Sequence, residues 1–198
     1  MSEKGQEPFH VYRDHDGRSP IHVIGLGLPG GGLPLGHPLV PRADVLVGGK
    51  AVLDAFAGHP AEKMVVDSDT ATLYARMEAL RDQGKTLVVL CSGDPLFFGL
   101  GARLAERFGA SSVRALPGIS SLQAAASLAG LPWEGVRSVS LHGREAFLPL
   151  ARALNTGEPV CVLCDRRNGP AEIAAWMLER GCGRYRMLVF EDLSVDPE

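Results

Sequence analysis

The sequence contains no apolar stretch that approaches the roughly 18 residues of a membrane-spanning helix. Its first residues also lack the apolar centre of a secretory signal peptide. We therefore expect a soluble, cytoplasmic protein without a membrane partner. The formal net charge is only −3, so no excess of positive charge indicates nucleic acid as a partner.

Cysteine is scarce too, with four residues in a chain of 198. Cys161 and Cys164 have the spacing of a metal or redox pair, but they lie in an apolar run that is typical of a β-strand. Residues three apart on a strand face opposite sides of the sheet, so these two thiols cannot converge on one metal ion. The six histidines show no ligand spacing either. We predict reduced, mostly buried cysteines and no protein-bound metal.

The signatures of several enzyme classes are missing as well, among them the P-loop and the Gly-x-Ser-x-Gly elbow. The run from Gly25 to Gly30 does match the dinucleotide fingerprint, directly after a predicted strand. That fingerprint requires a helix that begins inside the motif, and the prolines and glycines of residues 29–36 oppose a helix. We interpret the segment as a long loop that lines a site without gripping a diphosphate. A nicotinamide or flavin oxidoreductase remains an alternative.

Apolar residues, by contrast, make up 45% of the chain, and 24 glycines and 14 prolines are scattered between the apolar runs. This composition suits one domain or two small ones with many short connections. Residues 1–19 are polar without periodicity and are predicted to form a loose arm. Strand and helix patterns then alternate, which predicts an α/β fold with a mostly parallel sheet covered by helices on both faces. The predicted strands are 21–25, 44–47, 63–66, 86–91 and 112–116, and the predicted helices are 50–56, 69–83 and 96–108.

The pattern restarts near Pro117, which divides an N-terminal α/β domain at 20–117 from a C-terminal α/β domain at 118–198. We expect a ligand cleft between these two small lobes. The chain stops soon after its last predicted strand, so we expect the natural polypeptide to continue. The second lobe is predicted to form a mixed sheet, with strands at 136–141, 160–164 and 186–190 and helices at 120–129, 145–154 and 170–180.

The most informative motif is the apolar run 86–91 followed by Ser92-Gly93-Asp94-Pro95. In an open α/β sheet, ligands bind just beyond the carboxyl ends of the strands. Gly93 would let a ligand approach the backbone closely, and Asp94 would place a carboxylate at the rim. An ordinary strand-to-helix turn has the same composition, so this motif alone leaves both interpretations open.

Four blocks in register resemble the tetrapyrrole methylase family, whose members transfer methyl groups from S-adenosylmethionine. They are Val23-Ile-Gly-Leu-Gly27, Ala43-Asp-Val-Leu-Val-Gly-Gly49, Ser92-Gly-Asp-Pro-Leu-Phe-Phe-Gly99 and Pro117-Gly-Ile-Ser-Ser121. Three further segments resemble a branch that methylates C5 of precorrin-6Y or of cobalt-precorrin-7 in cobalamin biosynthesis. These are Leu96-Phe-Phe-Gly99, Gly130-Leu-Pro-Trp133 and Ser140-Leu-His-Gly-Arg144.

The resemblance implies two α/β domains that hold the methyl donor in the cleft between them, usually in a homodimer. By position, it implies that the donor is contacted by Gly27, Leu28, Gly93, Asp94, Phe97, Ser120 and Ser121, with Cys164 or Asp165 near its adenine. The chain departs from many members at Leu28, because their proline follows the second glycine directly. That contact therefore shifts by up to one residue.

The implied substrate is a tetrapyrrole ring with acetate and propionate groups, which favour forked recognition by arginine. Arg144 is the first candidate, with His142 beside it; the alternative is that both are solvated surface residues. We assign no catalytic base. Two other functions stay open: a methylase of the same fold with a different substrate, and a non-catalytic lobe that scaffolds a fused or associated domain. That domain would methylate C15 and remove a carboxyl group.

Overall fold

The computed structural model describes residues 17–28, 37–143 and 147–194. The chain divides into two compact units, one ending at Ile119 and the other beginning at Ser120. The predicted boundary near residue 117 lies close to this division. None of the helices formed by the described residues is long and apolar enough to span a membrane.

The first unit is built on a parallel sheet, which confirms the predicted α/β class. Within the described residues its five strands lie in the order β3-β2-β4-β1-β5, and every neighbouring pair is parallel. The strands are β1 (Ile21–Gly25), β2 (Val45–Gly48), β3 (Glu62–Val65), β4 (Leu87–Cys91) and β5 (Val113–Leu116).

The central strand β4 shows that helices cover both faces of this sheet. All five of its residues are buried, because successive side chains point to opposite faces and both faces are covered. Leu87 and Val89 pack with residues of α2 (Thr70–Asp82) and α3 (Leu100–Phe108), whereas Val88 and Leu90 pack with Leu53 of α1 (Lys50–Asp54). Each such fully buried side chain contributes about 1.5–3 kcal/mol relative to exposure.

The second unit is a smaller α/β arrangement with its own core. Its strands β6 (Arg137–Ser140) and β7 (Val160–Leu163) pair in parallel, and α5 (Leu148–Leu154) connects them. Helix α4 (Ser121–Ala129) precedes this pair, and α6 (Pro170–Glu179) follows it. The core of this unit is formed by Val139, Leu141, Leu150, Ala153, Leu154 and Ile173.

The predicted strand at 186–190 is wrong. The segment is irregular, and each apolar side chain from Met187 to Phe190 remains at least 38% exposed. An apolar run predicts burial, but a strand also needs a neighbouring strand to which its backbone can bond. Within the described residues, the second unit therefore has a parallel pair of strands in place of the mixed sheet predicted for it.

Candidate functional site at the carboxyl edge of the first sheet

Sheet topology singles out one position on the first unit. Strands β1 and β4 are neighbours, yet the chain leaves β1 for β2 on one side and leaves β4 for β5 on the other. This is the switch point of the sheet, and in open α/β proteins ligands bind outside the carboxyl ends of the strands at such a point. The loops that begin there contain Gly27 and Gly93, two of the residues that the sequence singles out.

The backbones of these two loops are bonded to each other. The Gly93 N–H donates to the Gly27 carbonyl at 2.7 Å, and the Gly27 N–H donates to the Gly93 carbonyl at 3.3 Å. Both residues have positive φ values, 70° for Gly27 and 62° for Gly93. Glycine adopts this conformation at little cost because it lacks a Cβ atom.

A third loop, which follows β5, meets the other two at Gly118. A Cβ atom on Gly118 would lie 2.4 Å from the Gly93 carbonyl oxygen and 2.6 Å from the Gly27 nitrogen. A Cβ atom on Gly25 would lie 2.5 Å from the Gly118 nitrogen. Only residues without side chains allow this approach. We call Gly25, Gly27, Gly93 and Gly118 the glycine cluster.

Gly25 and Gly118 are not among the site residues predicted from the sequence. The sequence signal that could have suggested Gly118 is Pro117-Gly118 directly after a strand, because proline and glycine commonly mark turns and loops. The close approach of three loops, however, depends on strand order, which local sequence does not specify.

The carboxylate of Asp94 closes a turn at this edge. Its Oδ1 accepts the Leu96 N–H at 2.8 Å, and the Asp94 carbonyl accepts the Phe97 N–H at 3.2 Å. Asp94 is half-buried. This is the local role expected of aspartate in a strand-to-helix turn. A carboxylate can accept several hydrogen bonds, so the turn and a ligand contact are compatible.

The helix after this motif begins at Leu100, not at residue 96 as predicted. The intervening residues turn back on Pro95: a Cβ atom on Gly99 would lie 2.5 Å from the Pro95 carbonyl oxygen. Phe98 adopts a left-handed φ of 54°, and its ring contacts that of Phe97 edge to face, with 4.9 Å between the centroids. Phe97 therefore lies on the site loop and not on α3.

Ser120 and Ser121 lie at the start of α4 in the second unit. Ser120 is buried; its Oγ accepts the Gln123 N–H at 3.3 Å, and its own N–H donates to Gln123 Oε1 at 2.8 Å. This reciprocal pair is a capping box, which fixes the start of the helix. Ser121 is the first residue of α4 and is half-buried.

Asp165 connects two loops of the second unit. Its Oδ2 accepts the Gly143 N–H at 2.7 Å, and its Oδ1 accepts the N–H groups of Arg167 at 2.9 Å and Asn168 at 2.7 Å. These bonds, that from Gly143 most strongly, lower the pKa of Asp165. His142, the residue before Gly143, is exposed. Arg144 lies outside the described residues.

All four cysteines are free thiols, as predicted, but the expectation that they are mostly buried is wrong: only Cys91 is buried, Cys161 and Cys182 are half-buried, and Cys164 is exposed. Cys164 is exposed because it follows the last residue of β7 and lies beyond the sheet. Although the residue as a whole is exposed, partial burial of its sulfur and the nearby charge of Asp165 raise the pKa of Cys164. Cys91 is buried at the end of β4, and burial raises its pKa to about 11.

These features define a two-unit α/β protein with a candidate ligand-binding edge at the switch point of its first sheet. The sequence profile of the tetrapyrrole (corrin/porphyrin) methylases matches residues 21–198. The chain belongs to this family and is a methyltransferase, which confirms the resemblance that the four blocks indicate.

Two relatives and one solved structure show the range of similar proteins. The chain is 37% identical over 181 residues to the cobalt-precorrin-7 C(5)-methyltransferase of Salmonella typhimurium, covering 90% of this chain and 87% of the relative. It is 35% identical over 186 residues to the decarboxylating precorrin-6Y C(5,15)-methyltransferase of a Sinorhizobium species, covering 87% of this chain and 42% of the relative.

The solved structure is the uroporphyrin-III C-methyltransferase of Thermus thermophilus in complex with S-adenyl homocysteine. The likeness has a TM-score of 0.57 and 24% identity, and it covers 84% of this chain and 78% of that one. It confirms the fold.

Proposed function

We propose that the chain transfers a methyl group from S-adenosylmethionine to C5 of a precorrin macrocycle, either precorrin-6Y or cobalt-precorrin-7. The observation that carries the proposal is the 37% identity, over 90% of this chain, to the Salmonella typhimurium cobalt-precorrin-7 C(5)-methyltransferase. The segments at Leu96, Gly130 and Ser140 that resemble the C5 branch support the same substrate.

The composition of the site loops suits this donor. Residues 25–28, 92–95 and 117–119 contain one charged side chain, Asp94, and otherwise offer the Ser92 hydroxyl and backbone N–H and C=O groups. Such a surface carries no basic side chain that would favour a diphosphate, whereas an amino-acid and nucleoside ligand without phosphate matches it. We propose that Gly27, Leu28, Gly93, Asp94 and Phe97 contact the donor.

We propose that four residues of the second unit also contact the donor. Ser120 and Ser121 would act from the start of α4, where the capping box fixes their main chain. Cys164 and Asp165 would lie beside the adenine. Both follow the carboxyl end of β7, and Cys164 is exposed.

For the macrocycle, we propose carboxylate recognition by Arg144 and His142. The substrate's acetate and propionate groups suit a guanidinium fork and an imidazole donor. His142 is exposed on the loop after β6, as a ligand contact requires.

The main catalytic task of the protein is alignment. S-adenosylmethionine supplies an electrophilic methyl group on a sulfonium, and the reduced tetrapyrrole is already nucleophilic. Holding the two in a near-attack geometry can supply roughly 7–11 kcal/mol of the barrier. The positive charge on sulfur is lost during transfer, so an anionic contact at sulfur would oppose the reaction. We therefore place Asp94 at the amino-acid or ribose portion of the donor.

Incubation of the purified chain with S-adenosylmethionine and each C5 substrate tests the proposal. We expect one added methyl group by mass spectrometry, together with S-adenosylhomocysteine. Methylation of a different precorrin only would assign the chain to another branch of the family. Donor binding without turnover of any precorrin would favour the scaffold alternative.

We further propose that the chain acts as a cytoplasmic homodimer, alone or with a partner that methylates C15 and decarboxylates. The Sinorhizobium relative, of which this chain covers 42%, carries both positions in its name. Light scattering on the purified chain should give twice the mass of 21.1 kDa, and a monomer at all concentrations would contradict the dimer.

A further inference from the structure

We propose that Asp165 and Asn168 are positioning residues that hold His142 in place to recognise a carboxylate of the macrocycle. This inference rests on the proposed function and adds to it the residues that shape the substrate side. The two residues lie on the loop after β7, whereas His142 lies on the loop after β6.

The first attachment is the bond from the Gly143 N–H to Asp165 Oδ2, at 2.7 Å. The other carboxylate oxygen is bonded to the N–H groups of Arg167 and Asn168, so the side chain of Asp165 cannot rotate without breaking three bonds. Gly143 has a φ of 67°, a conformation that glycine adopts most readily. The residue on the C-terminal side of His142 is thus fixed.

The second attachment lies on the N-terminal side of His142. Asn168 is buried, and its Nδ2 donates to the Leu141 carbonyl at 2.8 Å. The Leu141 N–H in turn donates to the Leu163 carbonyl at 2.9 Å, which continues the pairing of β6 with β7. His142 is therefore held between two anchored neighbours.

The side chain of His142 contrasts with its anchored backbone, because the residue is exposed. An imidazole in this position can donate a hydrogen bond to a carboxylate. A main chain that is already fixed loses less conformational entropy when the ligand binds, so the anchoring favours affinity. Asp165 and Asn168 would act on substrate binding through His142, without touching the substrate.

The direct test is Asp165→Asn in the full chain. The amide oxygen can still accept from Arg167 and Asn168, but the NH₂ group that replaces Oδ2 cannot accept from Gly143. We expect the KM for the precorrin substrate to rise about tenfold. We also expect faster hydrogen exchange at the Gly143 amide.

A double-mutant cycle separates positioning from a general effect on the fold. If Asp165 acts through His142, then His142→Ala should raise the substrate KM, and Asp165→Asn should add nothing to that change. Full additivity of the two effects would overturn the inference. Should Asp165→Asn fail to fold, Gly143→Ala is the second variant, because it disturbs the same hydrogen bond at its donor residue. We expect Gly143→Ala to raise the KM for the precorrin substrate as well.

The matched control is Glu158→Gln, the same change of carboxylate to amide near the opposite end of β7. Glu158 forms an exposed ion pair with Arg137, and we expect its loss to leave the KM for the precorrin substrate unchanged. An unchanged substrate KM in Asp165→Asn would overturn the inference. Failure of the proposed function is distinguishable, because the unmodified chain would then methylate neither C5 substrate.

Discussion

At the scale of single residues, the absence of side chains defines the candidate donor site. The glycine cluster brings three loops into backbone contact, and a Cβ atom at Gly25 or Gly118 would overlap main-chain atoms that cannot rotate away. These loops also contain backbone groups that we propose as donor contacts. The same residues are therefore needed for the fold and for the geometry of the site.

Gly118→Ala tests this dependence. The new methyl group would lie 2.4 Å from the Gly93 carbonyl oxygen, so the loops must separate. We expect a loss of about 1–3 kcal/mol in the free energy of unfolding and at least a tenfold weaker Kd for S-adenosylhomocysteine. Denaturant titration and calorimetry measure the two effects. Gly58→Ala is the control, because a Cβ atom there meets nothing within 4 Å; equal behaviour of the two variants would refute the dependence.

Two substitutions at Asp94 separate its turn from its charge. Asp94→Asn keeps an oxygen for the Leu96 N–H, whereas Asp94→Ala removes it. We expect Asp94→Asn to weaken the Kd of S-adenosylhomocysteine roughly tenfold through loss of the carboxylate, and Asp94→Ala to weaken it further. Asp54→Asn, an exposed position paired with Lys50, should leave the affinity unchanged. An unchanged Kd of S-adenosylhomocysteine in Asp94→Asn would mean that Asp94 stabilises the turn without contacting the donor.

The positions of Gly93 and Asp94 at the carboxyl edge of the sheet could be predicted from the sequence, because their motif directly follows the apolar run of β4. The bond between Asp165 and Gly143 could not, because 22 positions separate the two residues in sequence. Its formation depends on the parallel pairing of β6 with β7. The resemblance to the family therefore suggested Asp165 as an adenine contact by its position in the sequence. It could not indicate that the carboxylate of Asp165 joins two loops.

At the scale of elements, the first turn of α2 shows how one side chain stabilises a helix. Asp69 Oδ1 accepts the Thr72 N–H at 3.1 Å at the helix start. Bonds with Thr72, the side-chain contact first, lower the pKa of Asp69 below its ordinary value of 3.8. The charged form is the better acceptor, so the cap stabilises the folded state while Asp69 is ionised.

The contribution of this cap depends on pH. Because the folded-state pKa is lowered, the stabilisation is complete above 3.8 and is lost as the pH falls through the folded value. We expect Asp69→Ala to have a lower Tm than the unmodified chain near neutral pH, with the difference shrinking below pH 3.8. Thermal melts across the acid range measure this. A difference in Tm that stays constant into strong acid would contradict the assignment. The control is Asp82→Ala, which removes an exposed ion pair with Arg18.

Periodicity predicted the existence of most elements, but tertiary contacts decided two of them. The predicted helix from residue 96 begins at Leu100, because the chain turns back on Pro95 at Gly99 before the helix starts. The apolar run 186–190 has the composition of a strand and yet is irregular and exposed. Local composition indicates what a segment can form, whereas a strand also requires a partner.

At the scale of the whole molecule, a ligand that binds only the folded chain must stabilise it. At a concentration one hundred times its Kd, such a ligand adds about 2.7 kcal/mol to the free energy of unfolding. We expect S-adenosylhomocysteine to raise the Tm by several degrees and NADH to leave it unchanged. The opposite pattern would favour the oxidoreductase alternative over methyl transfer.

The strand order accounts for the position of the site, because it makes the β1 and β4 loops neighbours that lead to opposite sides of the sheet. A crystal structure of the chain with S-adenosylhomocysteine tests this most directly. We expect density for the ligand against the Gly27 and Gly93 loops, with Asp94 at its amino-acid or ribose portion. A ligand bound away from these loops would contradict the central claim.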